Sequence, residues 1–112
     1  MKDLIFDFNY NNKLNCNAFT AIQPKDPSIK VGDEFKIILK PINAPIVKGV
    51  ARVQSVRHFK FEQLNEFMAF IETGYSLDQT TKIFQRKHAK ENIYEMEFSI
   101  ILFVYINGAP DK

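Results

Sequence analysis

Two groups of basic side chains and one turn tyrosine carry most of the chemistry this sequence offers. Arg52, Arg57, His58 and Lys60 stand together in one alternating stretch, and Arg86, Lys87, His88 and Lys90 form a second group. A guanidinium such as that of Arg52 grips a phosphate through two parallel hydrogen bonds when it faces a cleft rather than solvent. Strand parity puts Arg52 and Lys48 on one face with His58, and Arg57 on the other. The second group closes a helical pattern, where cations also meet the negative end of the helix dipole. Tyr75 lies between Gly74 and Ser76, in a turn where its ring can stack on a base for roughly 1–3 kcal/mol.

Other chemistries find little support. Cys16 is the single cysteine, so no intramolecular disulfide can form. It sits near Lys13, but both histidines are far away in sequence, and an activated nucleophile needs a base beside it. Neither paired His at helical spacing nor Cys-x-x-Cys occurs, and the four glycines are scattered singly. No metal site, phosphate loop or cofactor is therefore expected.

The elements that must position these residues follow from apolar period and turn chemistry. Leu4, Phe6, Phe8 and Tyr10 alternate with Ile5, Asp7 and Asn9 as a first strand with one buried face,. An Asn-rich loop over Asn9 to Asn17 follows, with Leu14 as its plug onto the core. Phe19 to Gln23 is a short strand ended by Pro24. A Gly32-Asp33 turn leads into a strand over Glu34 to Lys40, then a proline-bounded loop from Pro41 to Pro45. Ile46 to Phe59 is too long for a straight strand, and Gly49 is the expected bulge or bend. From Phe19 to Lys60 the chain carries eight Lys/Arg (Lys25, Lys30, Lys36, Lys40, Lys48, Arg52, Arg57, Lys60) against three acids (Asp26, Asp33, Glu34).

Helical period replaces strand period after Lys60. Leu64, Phe67, Met68 and Ile71 mark an apolar face, with Glu62, Asn65, Glu66 and Glu72 opposite,. Gly74 ends this helix. Ser76 and Gln79 match a capping box for a second helix, which aligns Leu77, Thr81, Phe84 and His88. Ile93 to Tyr105 closes the chain as a long apolar strand, expected at the sheet centre because an exposed one would invite association. Strands, two helices and a last strand make an α+β arrangement.

In this order, particular residues at the joints resemble the ASCH family of PUA-like β-barrel domains. Phe19-Thr20-Ala21-Ile22-Gln23-Pro24 looks like the family's early Thr-rich strand with its Ile-Arg step. Lys30-Val31-Gly32-Asp33 is similar to its Val-Gly-Asp turn. Gly49 to Val53, Leu64 and Thr73-Gly74-Tyr75-Ser76 complete the likeness, which covers roughly Phe19 to Phe103. The resemblance implies a small, mainly antiparallel PUA-like barrel with two helices inserted before the last strand, spanning 1–112 as a single domain. It also implies a basic cleft between barrel and helices that binds RNA or a nucleotide-like ligand. In that cleft Lys25, Arg52 and Lys82 or Arg86 would neutralise phosphate. Thr20 and Gln23 would hydrogen-bond a base or sugar edge, and Tyr75 would stack.

Some ASCH proteins are amidohydrolases of acylated cytidine that use a Lys, a Thr and a Glu. Laying the Ile-Arg step on Ile22-Gln23 puts that Thr on Ala21 and the Lys on Ala18. A shift by one residue gives Thr20 but puts the Lys on Asn17, and Glu95 or Glu97 would stand for the carboxylate. No lysine falls in either register, so no catalytic set is expected. A third reading is an accessory protein-interaction module of bacterial, phage or mobile-element origin, with an apolar patch around Phe70.

Composition sets outer bounds. A net charge of +2 and 46 % hydrophobic residues, with eleven Phe and no Trp, describe a folded chain rather than a basic tail,. The charged amino terminus does not fit a signal peptide, and no apolar run reaches the roughly 20 residues of a membrane helix. A cytoplasmic setting without a membrane partner is the expectation.

Overall fold

The computed structural model describes residues 1–41 and 44–110. The five strands are β1 (Lys2–Phe6), β2 (Ala18–Pro24), β3 (Glu34–Leu39), β4 (Ile46–Lys60) and β5 (Glu97–Gly108), and the two helices are α1 (Glu66–Thr73) and α2 (Leu77–Lys87). Short 3-10 turns cover Tyr10–Asn15, Phe61–Gln63 and Ile93–Glu95. Ile42 and Asn43 of the proline-bounded loop lie outside the described residues.

The strands form one curled, mixed half-barrel sheet in the order β1-β3-β4-β5-β2. Only the β1–β3 pair is parallel; the other neighbours are antiparallel. β5 lies between β4 and β2, and β1 and β2 are the sheet's two edges.

The Val-Gly-Asp turn forms as its residues demand. Gly32 takes φ +95°, Asp33 N–H donates to the Lys30 carbonyl at 3.0 Å, and the Asp33 carboxylate accepts the Lys30 N–H at 2.9 Å. At Gly49 the register slips between Ile37 and Ile38 of β3. A Cβ there would overlap the Asn107 carbonyl oxygen, so only glycine permits this close crossing of β4 and β5,. Two further irregularities lie between Val50 and Ala51 and between Val53 and Ser55, and the latter reverses the parity of β4,. Arg52 and Arg57 therefore pair with Val104 and Ile100 on one face, while His58 pairs with Ser99 on the other. This corrects the grouping of Arg52 with His58.

Two cores share β5. Phe19, Phe35, Ile37, Val53, Ile101 and Phe103, with others, fill the concave side of the sheet. Ile22, Phe61, Leu64, Phe84, Ile93 and Phe98 pack between the other side and the helices. β5 is thus buried on both faces rather than one, which accounts for its near-continuous apolar run. Phe98 and Phe103 are 0 % and 1 % exposed, each contributing roughly 1.5–3 kcal/mol by burial. Leu14 plugs the Asn-rich loop into the concave core. The last strand begins at Glu97, because Ile93–Glu95 is a 3-10 turn that leaves Tyr94 exposed. Likewise β1 stops at Phe6, and Tyr10 opens the turn that follows.

α1 begins at Asn65, whose side chain accepts the Met68 N–H at 2.8 Å, and ends at Gly74 with φ +79°. Ser76 and Gln79 form the expected capping box of α2. The buried face of α1, however, is Ala69, Glu72 and Thr73, while Phe67 and Phe70 are 74 % and 62 % exposed. The helix is rotated so that a carboxylate, not a phenylalanine, meets the sheet. Among the described residues no helix is long and apolar enough to cross a membrane.

Candidate functional site

β2 is an edge strand, so its outward backbone groups need partners other than a neighbouring strand. α1 supplies one. The Glu72 carboxylate accepts the Ile22 N–H at 2.9 Å on Oε2 and the Thr20 hydroxyl at 2.9 Å on Oε1. Lys13 Nζ lies 3.0 Å from Oε2, and both charged side chains are under 10 % exposed. Burial pushes the Glu72 pKa up and the Lys13 pKa down, and each is partly restored by the other's charge. Taking two ions out of water is costly unless their geometry and hydrogen bonds compensate. Glu72 is well supplied with donors. Lys13 is not: its ammonium offers three N–H groups, and among the described residues Glu72 is its one hydrogen-bond acceptor, with the Phe6 ring 5.6 Å away.

The turn that delivers Lys13 is tightly specified. Asn11 and Asn12 take left-handed φ of 58° and 52°, a conformation that asparagine tolerates better than most residues. The Asn9 side chain accepts the Leu14 N–H at 2.9 Å, and Tyr105 Oη donates to the Leu14 carbonyl at 2.8 Å. Asn11 lies so close to Gly74 that an added Cβ would sit 3.0 Å from its Cγ. The turn and the end of α1 are fitted to each other, which fixes Lys13 against Glu72.

Three concavities surround this cluster. The first, about 390 Å³, occupies the open seam between β1 and β2, with Lys13, Glu72, Gln23, Lys87 and His88 in its lining. A groove of about 590 Å³ shares Phe8 and Tyr10 with it and adds Tyr75, Gln79, Lys82 and Arg86. A third hollow, about 280 Å³, is lined by Lys13 and Thr20 together with Phe70, Ile71 and Leu102. Lys13 therefore faces both the first and the third. Along the seam and groove stand Lys13, Lys82, Arg86, Lys87 and His88, against Asp7 and Glu72. Tyr10 and Tyr75 meet edge-on at 6.3 Å, and Lys87 Nζ lies 5.7 Å over the Tyr10 ring. Lys82 also pairs with Asp78 at 3.2 Å in an exposed helical pair.

The sequence-predicted residues divide accordingly. Gln23 lines the seam, and Tyr75, Lys82 and Arg86 line the adjoining groove. Thr20 is bonded to Glu72 in the wall behind them. Lys25 and Arg52 are elsewhere. Lys25 pairs with Glu97 at 3.2 Å, and Arg52 with Glu34, its cross-strand neighbour, at 3.0 Å; all four side chains are substantially exposed. Parity and cross-strand charge attraction hold Arg52 on β4, outside the lining of the three concavities. Glu97 is likewise committed to Lys25, and Glu95 is exposed.

Sequence reasoning missed Lys13 and Glu72. Lys13 reads as part of a polar loop, and Glu72 as the solvated side of an amphipathic helix. The available signal was weak: Ala69, Glu72 and Thr73 share a second possible face of α1, made of small and polar residues. Among the described residues no group of His, Cys, Asp and Glu could hold a metal ion.

No family model matches the chain, and no curated protein matches it. Among solved structures it is similar to the crystal structure of protein EF3133 from Enterococcus faecalis V583, described as DUF984, with a TM-score of 0.68 at 10 % identity. The likeness covers 100 % of this chain and 85 % of that one, and at such identity it concerns the fold alone.

Proposed function

We propose that this chain is a PUA-like half-barrel that binds RNA or a nucleotide-like ligand in the seam between β1 and β2 and the groove beside α2. The observation that carries the reading is the buried Lys13 ammonium, whose one acceptor among the described residues is Glu72, at the floor of a cation- and aromatic-rich cleft. A base carbonyl or phosphate oxygen would complete its hydrogen bonding. Gln23 offers both a donor and an acceptor to a base edge. Arg86, Lys82 and Lys87 would meet phosphate, and Tyr75, 44 % exposed, presents a stacking face,.

Anisotropy of a short labelled single-stranded RNA tests this. With two or three phosphates neutralised, log K should fall with log salt at a slope of about −1.5 to −2. Tyr75→Ala should weaken binding by roughly five- to 150-fold, the equivalent of ~1–3 kcal/mol. Salt-independent or absent binding, or binding indifferent to both Tyr75→Ala and Arg86→Ala, would sink the proposal.

A second reading is favoured by one specific observation: a Lys, a Thr and a Glu do meet here, as Lys13, Thr20 and Glu72. The lysine comes from the 3-10 turn and the carboxylate from α1, not from the strand positions where the ASCH resemblance implies them. Nucleophile and base are within hydrogen-bond reach,. Hydrolysis of an acylated nucleoside would run through Thr20 Oγ1 attacking the amide carbon while Glu72 takes the hydroxyl proton. Lys13 would donate to the carbonyl oxygen as it gains charge. Collapse breaks the C–N bond, and Glu72 returns the proton to the leaving nitrogen. Water then attacks the Thr20 ester, the C–Oγ1 bond breaks, Thr20 regains its proton and the acid leaves. Incubation with N4-acetylcytidine followed by chromatography tests it; no cytidine release from the intact chain would remove this reading.

A further inference from the structure

The hollow beside α1 grades from an exposed mouth to a buried interior. Asn11, Cys16, Ala18 and Phe70 are exposed, Thr20, Ile71 and Leu102 are half-buried, and Lys13 is 6 % exposed. Its polar groups gather at one end, because Lys13 Nζ and Thr20 Oγ1 lie 3.0 Å and 2.9 Å from the two oxygens of a single Glu72 carboxylate. Thr20 spends its hydroxyl hydrogen on Glu72, so at this end the donor is Lys13. Its ammonium carries three N–H groups, and among the described residues Glu72 is its one hydrogen-bond acceptor. Donors left unmet at such a buried position are costly. The seam can use one of them, and another is open to the hollow.

We infer that the hollow is a binding site for a small, neutral, apolar molecule carrying one ketone-type carbonyl, whose oxygen accepts a hydrogen bond from Lys13. The apolar body follows from the walls. Ala18, Phe19, Phe70, Ile71 and Leu102 supply most of the lining, and Phe70 leaves 62 % of its surface to be covered,. The acceptor follows from the lysine donors. Neutrality follows from charge: Lys13 and Glu72 already cancel, and a second carboxylate would bring a further anion beside Glu72 with no counter-ion of its own,. Size follows from the space. At roughly 30 Å³ per heavy atom, about the volume of one water, a hollow of about 280 Å³ holds about nine such atoms. Such a molecule lies wholly on one side of the Lys13–Glu72–Thr20 wall. It does not enter the seam, and it is independent of the nucleotide reading. A ketone also has no bond for the hydrolytic reading to cleave.

Acetophenone and benzoate, both of that size, test this on the full-length chain at pH 7. Cys16 lines the hollow and is exposed, so its rate of maleimide labelling reports occupancy. Acetophenone should slow labelling by the factor 1 + [L]/Kd of single-site protection, with a Kd of about 1 mM or below. Benzoate should need an about tenfold higher concentration for the same protection, because its charge must leave water. Ala18→Phe, which fills the hollow from an exposed strand position, should abolish protection. The infrared C=O stretch of bound, carbonyl-labelled acetophenone should lie below its value in water, because a buried ammonium is a stronger hydrogen-bond donor than water. No protection at about 10 mM acetophenone, or protection that survives Ala18→Phe, would overturn the site. Benzoate protecting as well as acetophenone, or a C=O stretch at or above its value in water, would overturn the assignment of a neutral carbonyl to Lys13.

Discussion

The buried Lys13–Glu72 pair predicts two single substitutions with opposite pH dependence. Lys13→Met keeps most of the side chain's volume but leaves the Glu72 carboxylate without its counter-ion. Because both side chains are under 10 % exposed, the loss is that of a broken buried pair, about 3–5 kcal/mol near pH 8. Burial already raises the Glu72 pKa, and the Lys13 charge is the largest influence opposing that rise. Without Lys13 the folded chain binds a proton at Glu72 at a pH where the unfolded chain, with an ordinary glutamate near 4.3, does not. Stability of this variant therefore falls as pH rises through the raised value and recovers toward pH 5, at up to ~1.4 kcal/mol per pH unit.

Glu72→Gln behaves in the reverse sense. It keeps one side-chain acceptor for Thr20 or the Ile22 N–H but strands the Lys13 ammonium. The lysine pKa, already lowered by burial, drops further once the carboxylate is gone. The folded chain then gives up a proton that the unfolded chain holds until about pH 10.4, so stability rises with pH through that window. Urea titrations followed by far-UV circular dichroism at pH 5, 7 and 9 would read both slopes. With m near 1.5 kcal/mol/M, 3 kcal/mol corresponds to a midpoint shift of about 2 M. Losses under about 1 kcal/mol with no pH dependence would mean a solvated, weakly coupled pair, and would refute the reasoning.

Three further outcomes follow from the geometry. Arg52→Ala removes only an exposed pair with Glu34, so it should cost less than about 1 kcal/mol by thermal unfolding and leave RNA anisotropy unchanged. Gly74→Ala forces a left-handed alanine whose Cβ presses on Asn11; it should cost about 1–2 kcal/mol and, by shifting the turn that carries Lys13, weaken ligand binding. Ser76→Ala breaks the α2 capping box and should lower stability by about 1 kcal/mol, visible as a fall of several degrees in Tm.

Where a structural decision was local, it could be read from the residues. Gly32-Asp33 makes its turn because glycine alone accepts that φ easily and aspartate closes the loop on Lys30. Gly49 marks an irregular crossing because no side chain fits there. Gly74 and Ser76 end and begin helices through hydrogen bonds to near neighbours. Leu14 is an apolar residue in a polar loop, and burial is its favourable state. The long apolar Glu97–Gly108 strand lies at an interior position of the sheet, as the absence of charge after Glu97 favours.

What the sequence by itself determined, then, is the α+β order, the turns and caps, the interior rather than edge position of the last strand and the presence of basic and aromatic side chains near α2. The tertiary structure decided which of them meet. One irregularity in β4 reversed the parity that had grouped Arg52 with His58, and nothing in the residue pattern marks that site. The facing of α1 turned on non-local polar demand. The edge strand's Ile22 N–H, the Thr20 hydroxyl and the Lys13 ammonium all need one acceptor, and together they draw Glu72 inward past Phe67 and Phe70. Hydrophobic periodicity records the preference of each side chain for water or oil. It holds no record of a hydrogen-bond debt incurred on a strand far away in the chain, and that debt placed the candidate site.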